Sequence, residues 1–202
     1  NGPSSKLEVY DPATDTWSTK ANMPTARLEV VAAAIDGKLY VVGGYGPSSK
    51  LEVYDPATDT WSTKANMPTA RGAMAGGAID GKLYVAGGAR HFGQADGVYN
   101  VLEVYDPATD TWSTKANMPT TRGAMAAAVI GCKLLVVGGA PGQFSGSNKK
   151  LEVYDPATDT WSTKDDMPTA RRWLGAAAVG SRLYAVGGGG GGIATNKLEA
   201  TL

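Results

Sequence analysis

Apolar and β-branched letters fall in short runs along this chain, each bounded by Gly, Pro or Asp clusters, and none repeats with the three-to-four spacing of a helical face. The pattern predicts short strands grouped in fours. In a representative stretch, strand one covers Gly72 to Ile79, and Asp80-Gly81 is a two-residue hairpin signal that turns it into strand two, Lys82 to Val85. The pair Gly87-Gly88 is expected to end that strand. Strand three follows at Val101 to Tyr105, and Asp106-Pro107 opens a turn whose Asp110-Thr111 starts strand four around Trp112.

This grouping recurs. The letters LEVYDPATDTWSTK begin at Leu7, Leu51, Leu102 and Leu151 without a change, at intervals of 44, 51 and 49 residues. Each copy runs into a Met-Pro-Thr segment ending at Arg27, Arg71, Arg122 or Arg171, then small residues, then a glycine pair: Gly43-Gly44, Gly87-Gly88, Gly138-Gly139 and Gly187-Gly188. A period in this range marks a repeat architecture. A four-stranded unit apolar on both faces cannot bury itself alone, so the units must stack, and radial stacking of such sheets gives a propeller.

The glycine pair, a Tyr and Trp seven positions apart (Tyr54 and Trp61, Tyr105 and Trp112), Met-Pro and Arg in fixed order resemble the kelch repeat over nearly the whole chain. Only Lys197 to Leu202 departs, as a degraded third strand. The resemblance implies an all-β fold: a β-propeller of four-stranded antiparallel blades in one domain, 1–202. Its units are 27–64, 71–115, 122–164 and 171–202, the last completed by 7–20. Ring closure by those N-terminal strands gives four blades and a monomer, and a two-chain, eight-bladed assembly is the rival, because near-identical units leave self-association into larger rings open. Ala-rich first strands suit the crowded axis, and Trp17, Trp61, Trp112 and Trp161 are expected to pack between blades.

Composition narrows the chemistry. With 43% hydrophobic letters and no apolar run near twenty long, the chain reads as soluble and globular, without a membrane span. Nineteen basic against nineteen acidic residues leave no electrostatic basis for nucleic-acid binding. The lone Cys132 and the single His91 exclude a disulfide and multi-histidine metal sites, so no metal or cofactor is expected. No basic and apolar leader opens the chain, and a start at Asn1 reads as a processed or excised piece. The run Gly187 to Gly192 lacks the Lys-Ser/Thr of a phosphate loop.

Against the repeated letters, differences between units locate candidate function. They cluster in the loop after strand two, of six, thirteen, eleven and nine residues (Tyr45 to Lys50, Ala89 to Val101, Ala140 to Lys150, Gly189 to Lys197), and at the start of strand one. In an up-and-down sheet both emerge at the same end, and loops on a rigid frame commonly carry binding. The candidate residues are Arg27, Arg71, Arg122 and Arg171 as an arginine-lined mouth, with Glu29, Tyr45, Arg90, His91, Phe92, Tyr99, Gln143, Phe144, Arg172 and Trp173. Trp, Tyr and Arg dominate protein-recognition hot spots, and guanidinium forks hold carboxylates, so the expected partner is a protein or acidic peptide. The alternative for the repeated arginines is a staple onto backbone carbonyls. Among activities known for kelch propellers, the copper radical oxidase needs two histidines and a cysteine-modified tyrosine, which one His and an isolated Cys refute. A sugar mutarotase would need only Glu29 with Arg171 or Arg172. A third reading is a recently amplified or consensus-designed scaffold with no selected ligand.

Overall fold

In a computed structural model, residues 2–90, 97–142, 146–190, 193–194 and 198–200 are described, the last two segments for backbone only. All regular structure among them is β. The first repeat copy forms a hairpin, β1 (Leu7–Asp11) with β2 (Thr16–Lys20). Three complete sheets follow: β3 (Val31–Ile35), β4 (Lys38–Val42), β5 (Leu51–Asp55) and β6 (Thr60–Lys64); β7 (Ala75–Ile79), β8 (Lys82–Ala89), β9 (Val98–Asp106) and β10 (Thr111–Lys115); and β11 (Ala126–Ile130), β12 (Lys133–Val137), β13 (Leu151–Asp155) and β14 (Thr160–Lys164). The last sheet holds β15 (Gly175–Val179), β16 (Arg182–Val186) and, beyond the short pair β17 (Gly189–Gly190) and β18 (Ile193–Ala194), β19 (Leu198–Ala200). Each complete sheet is antiparallel with strands in chain order, the expected up-and-down blade.

Turn chemistry fixes the registers. Asp36-Gly37 and Asp80-Gly81 have positive φ at both positions, the mirror-image turn whose twist matches a hairpin. In the longer turn, Asp55 accepts the Ala57 N–H at 2.9 Å, and Asp59, at φ 52°, accepts the Tyr54 hydroxyl at 2.8 Å. The glycine pair ends strand two in three sheets, but β8 runs through it with a register shift between Ala86 and Gly88. Gly87 has φ +57°, and a Cβ there would lie 2.7 Å from the Arg122 carbonyl oxygen, so the next blade's approach requires glycine.

The core lies between blades. Ile35, Tyr40, Val42 and Leu51 meet Leu83, Val85 and Tyr105 of the next blade, with Trp112 against them. The following interface sets Ile79, Tyr84 and Leu102 against Leu134, Val136 and Tyr154. Each seated tryptophan also donates its indole N–H backward at 2.8 Å: Trp61 to the Ala21 carbonyl, Trp112 to Ala65 and Trp161 to Ala116. Trp17 departs from the expectation. No described strand packs against it from the preceding side, and it is 71% exposed.

The pairing of the N-terminal strands also departs from the expectation. Among the described residues β1 and β2 pair only with each other, and β19, not β1, takes the third-strand position beside β16, with Ala185 opposite Glu199 as Val41 is opposite Glu52. The first strands pack in sequence, β3 on β7, β7 on β11 and β11 on β15, with no comparable packing of β15 on β3 among the described residues.

Candidate functional site

Two residues beyond each repeated arginine, the chain enters strand one in a left-handed conformation. Glu29, Ala73, Ala124 and Trp173 have φ between 53° and 60°. The kink turns their backbones toward one another: the Ala73 N–H donates to the Glu29 carbonyl at 3.1 Å, Ala124 to Ala73 at 2.8 Å, and Trp173 to Ala124 at 2.9 Å. A hydrogen-bonded chain thus runs from blade to blade around a cavity of about 240 Å³, lined by Glu29, Val30, Ala73, Met74, Ala124, Met125, Trp173 and Leu174. That volume suits a single side chain better than a drug-sized ligand.

The loops after strand two reach the same rim. Gly72 bridges Ala89, Gly123 bridges Ala140, and Arg172 bridges Gly189, while the Tyr45 N–H donates to the Leu28 carbonyl at 2.9 Å. The two variable regions therefore meet at one end. Tyr45 is 61% exposed and Trp173 48%. Arg172 directs Nη1 to the Gly142 carbonyl at 3.4 Å, Arg90 is exposed, and Tyr99 is half-buried. His91, Phe92, Gln143 and Phe144 lie outside the described residues.

The four arginines are not a lining of this mouth. Arg27, Arg71, Arg122 and Arg171 are all buried. Each guanidinium turns into its own blade: Arg27 to the Gly43 and Lys50 carbonyls at 3.1 and 2.8 Å, Arg71 to Gly87 and Val85 at 2.7 and 3.1 Å, Arg122 to Gly138 and Val136 at 2.6 and 3.2 Å, and Arg171 to Gly187 and Ala185 at 3.0 and 3.3 Å. Buried third-strand carboxylates meet three of them, Glu52 with Arg27 at 2.7 Å, Glu103 with Arg71, and Glu152 with Arg122 at 2.9 Å. The cause is local. The left-handed glycine pair turns carbonyls inward, and a guanidinium is the donor that can satisfy several of them and a carboxylate at once. Desolvation pulls the pKa of Arg27, Arg71 and Arg122 down, and the adjacent glutamate opposes it.

Two sets of residues escaped the sequence reading. Glu52, Glu103 and Glu152 had a signal, an unchanging acid inside an apolar strand in every unit that also carries the unchanging Arg. Val30, Met74, Met125 and Leu174 occupy one position of the unit and vary in shape across it, which was equally visible in the sequence.

Chemically, the mouth offers an apolar cup, one aromatic face and one carboxyl. Burial raises the Glu29 pKa above the ordinary carboxylate value. A sugar-isomerising pair of Glu29 with Arg171 loses its arginine to the blade interior, which leaves only Arg172 on the rim. No cluster of three or more metal-ligating side chains occurs among the described residues.

Two comparisons bear on this arrangement. The family described as "KLHDC2/KLHL20/DRC7 Kelch-repeats domain" matches residues 1–188. The solved structure titled "Structure of YjhT" superposes with a TM-score of 0.79 at 21% identity, over 92% of this chain and 72% of that one.

Proposed function

The chain belongs to the kelch-repeat family, whose domains generally mediate protein–protein interaction, and from that premise we propose that its axial mouth and the adjoining loop rim bind a segment of a partner protein. The observation that carries this reading is the exposure of Trp173 and Tyr45 on the rim where the units differ, around a cup sized for one side chain. In this reading an aromatic or aliphatic side chain of the partner enters the cup against Met74, Met125 and Leu174 and lies across the Trp173 ring. The acidic-peptide version depended on four guanidinium groups that are engaged inside the blades, so among the described arginines acidic flanks would meet Arg90 and Arg172.

The test is selection of peptides from a random display library on the immobilised chain, followed by solution binding to variants. Trp173→Ala should weaken selected peptides by about thirtyfold, the scale of a hot-spot truncation of about 2 kcal/mol. Peptides that bind Trp173→Ala and Tyr45→Ala as tightly as the parent would reject the rim as the site.

A further inference from the structure

The blade-to-blade contact is built three times from the same parts, and both halves of a fourth copy stand unused on opposite edges of the molecule. In each built contact, an aspartate in the long turn accepts the N–H of the residue after the preceding fourth strand, and a tryptophan donates to that residue's carbonyl: Asp59 and Trp61 on Ala21, Asp110 and Trp112 on Ala65, Asp159 and Trp161 on Ala116. The next residue of this series is Asp165, and among the described residues no Asp–Trp pair follows it. Beside it, between the third complete blade and the last sheet, lies an open groove of about 880 Å³ with Val137, Leu151, Val153, Leu183 and Ala185 among its walls.

The part that would fill such a groove is the β1–β2 hairpin, and it is already shaped for the purpose. The Tyr10 and Trp17 rings pack tilted, with centroids 5.4 Å apart, against 5.3 Å in the seated pairs Tyr54–Trp61, Tyr105–Trp112 and Tyr154–Trp161. The Tyr10 hydroxyl donates to Asp15 at 2.7 Å, as its counterparts do to Asp59, Asp110 and Asp159. Glu8 holds the register position of Glu52, Glu103 and Glu152, the carboxylates that meet buried arginines, and it is exposed. Among the described residues of one chain, β15 does not pack on β3 as neighbouring first strands pack on one another.

We infer that the β1–β2 hairpin of one copy inserts into the groove beside Asp165 of a second copy, where β1 displaces β19 as third strand and Trp17 and Asp15 engage the Asp165 backbone. The contact is head-to-tail, so a pair of chains can satisfy both edges only as a closed ring, and that ring would have eight blades, within the usual four-to-eight range. What β1 displaces is small: β19 pairs with its second strand over three residues, whereas the seated third strands β5 and β13 pair with theirs over four.

Light scattering across a concentration series tests this on the full chain, its Trp17→Ala variant and a Glu199→Pro variant that removes the competing strand. Association to about twice 20.8 kDa is expected for the parent and, at lower concentration, for Glu199→Pro. Trp17→Ala should weaken association at least tenfold with an unchanged circular dichroism spectrum, because an exposed ring contributes nothing to its own chain's core. A mass of 20.8 kDa for both parent and Glu199→Pro at high micromolar concentration would overturn the inference. So would a dimer indifferent to Trp17→Ala, or a monomer whose Trp17 is shielded from acrylamide quenching, the mark of a hairpin folded into its own chain.

Discussion

Arg71 and Arg172 are the same residue type 101 positions apart, and the structure gives them opposite work. Arg71 lies within a blade, bonded to Glu103 and to the carbonyls of Val85 and Gly87. Arg71→Ala strands Glu103 without its counter-charge and should cost about 3–5 kcal/mol in denaturant unfolding. The paired replacement Arg71→Met with Glu103→Leu should recover much of that loss, since well-packed apolar residues often match a buried ion pair. Arg172→Ala, on the rim, should stay within about 0.5 kcal/mol. The tryptophans divide the same way. Trp112→Ala empties an inter-blade contact and should cost about 3 kcal/mol, whereas Trp17→Ala should leave the unfolding midpoint unmoved at concentrations low enough for the chain to be monomeric. Sequence offered the arginine distinction, since Arg71 recurs in every unit and Arg172 does not, but not the tryptophan one, because four identical letters carry no record of which copy has a neighbour.

Strands and turns were far more legible. Apolar runs between Gly, Pro and Asp clusters located the blades, and Asp80-Gly81 located a hairpin to the residue, because turn chemistry is local. What was illegible depends on approach from another element: β8 continues through Gly87-Gly88 because β9 starts early enough for Tyr99 and Val98 to pair with Gly88 and Ala89, and nothing in the Gly-Gly pair itself records that partner. Turn chemistry also supplies a prediction at this scale. Cys132 sits at φ 58° in the turn position that Gly37 and Gly81 fill elsewhere. Cys132→Gly should therefore raise stability by about 1 kcal/mol, read as a higher denaturation midpoint, since the left-handed region is strained for a residue with a Cβ.

Across the whole molecule, the repeated Asp–Tyr–Trp joint makes stability depend on acid pH in a defined direction. Asp59, Asp110 and Asp159 are held below the ordinary aspartate value of 3.8, first by the backbone N–H of Ala21, Ala65 and Ala116 and then by the tyrosine hydroxyls. With folded values lower than unfolded ones, the unfolded chain takes up protons first. Stability is therefore full above pH 3.8 and is lost as the pH falls through the folded values. Thermal scans should show a flat melting temperature near neutrality and a fall confined to the region below pH 3.8; a fall centred near pH 6 would point elsewhere.

The same scale holds the account's central claim, that repetition builds the blades while variation at one rim makes the binding surface. The location of that rim was readable from the differences between units, and a staple onto backbone carbonyls was one of two readings open for its arginines; the carboxylates that join them are brought together only in the folded blade. Hydrogen exchange with and without a selected peptide addresses the claim most directly. Amide exchange should slow around Glu29, Tyr45, Ala73, Ala124 and Trp173 and stay unchanged in the turns at the opposite end, from Asp55 to Asp59 and from Asp106 to Asp110. Slowing confined to those opposite turns would contradict it.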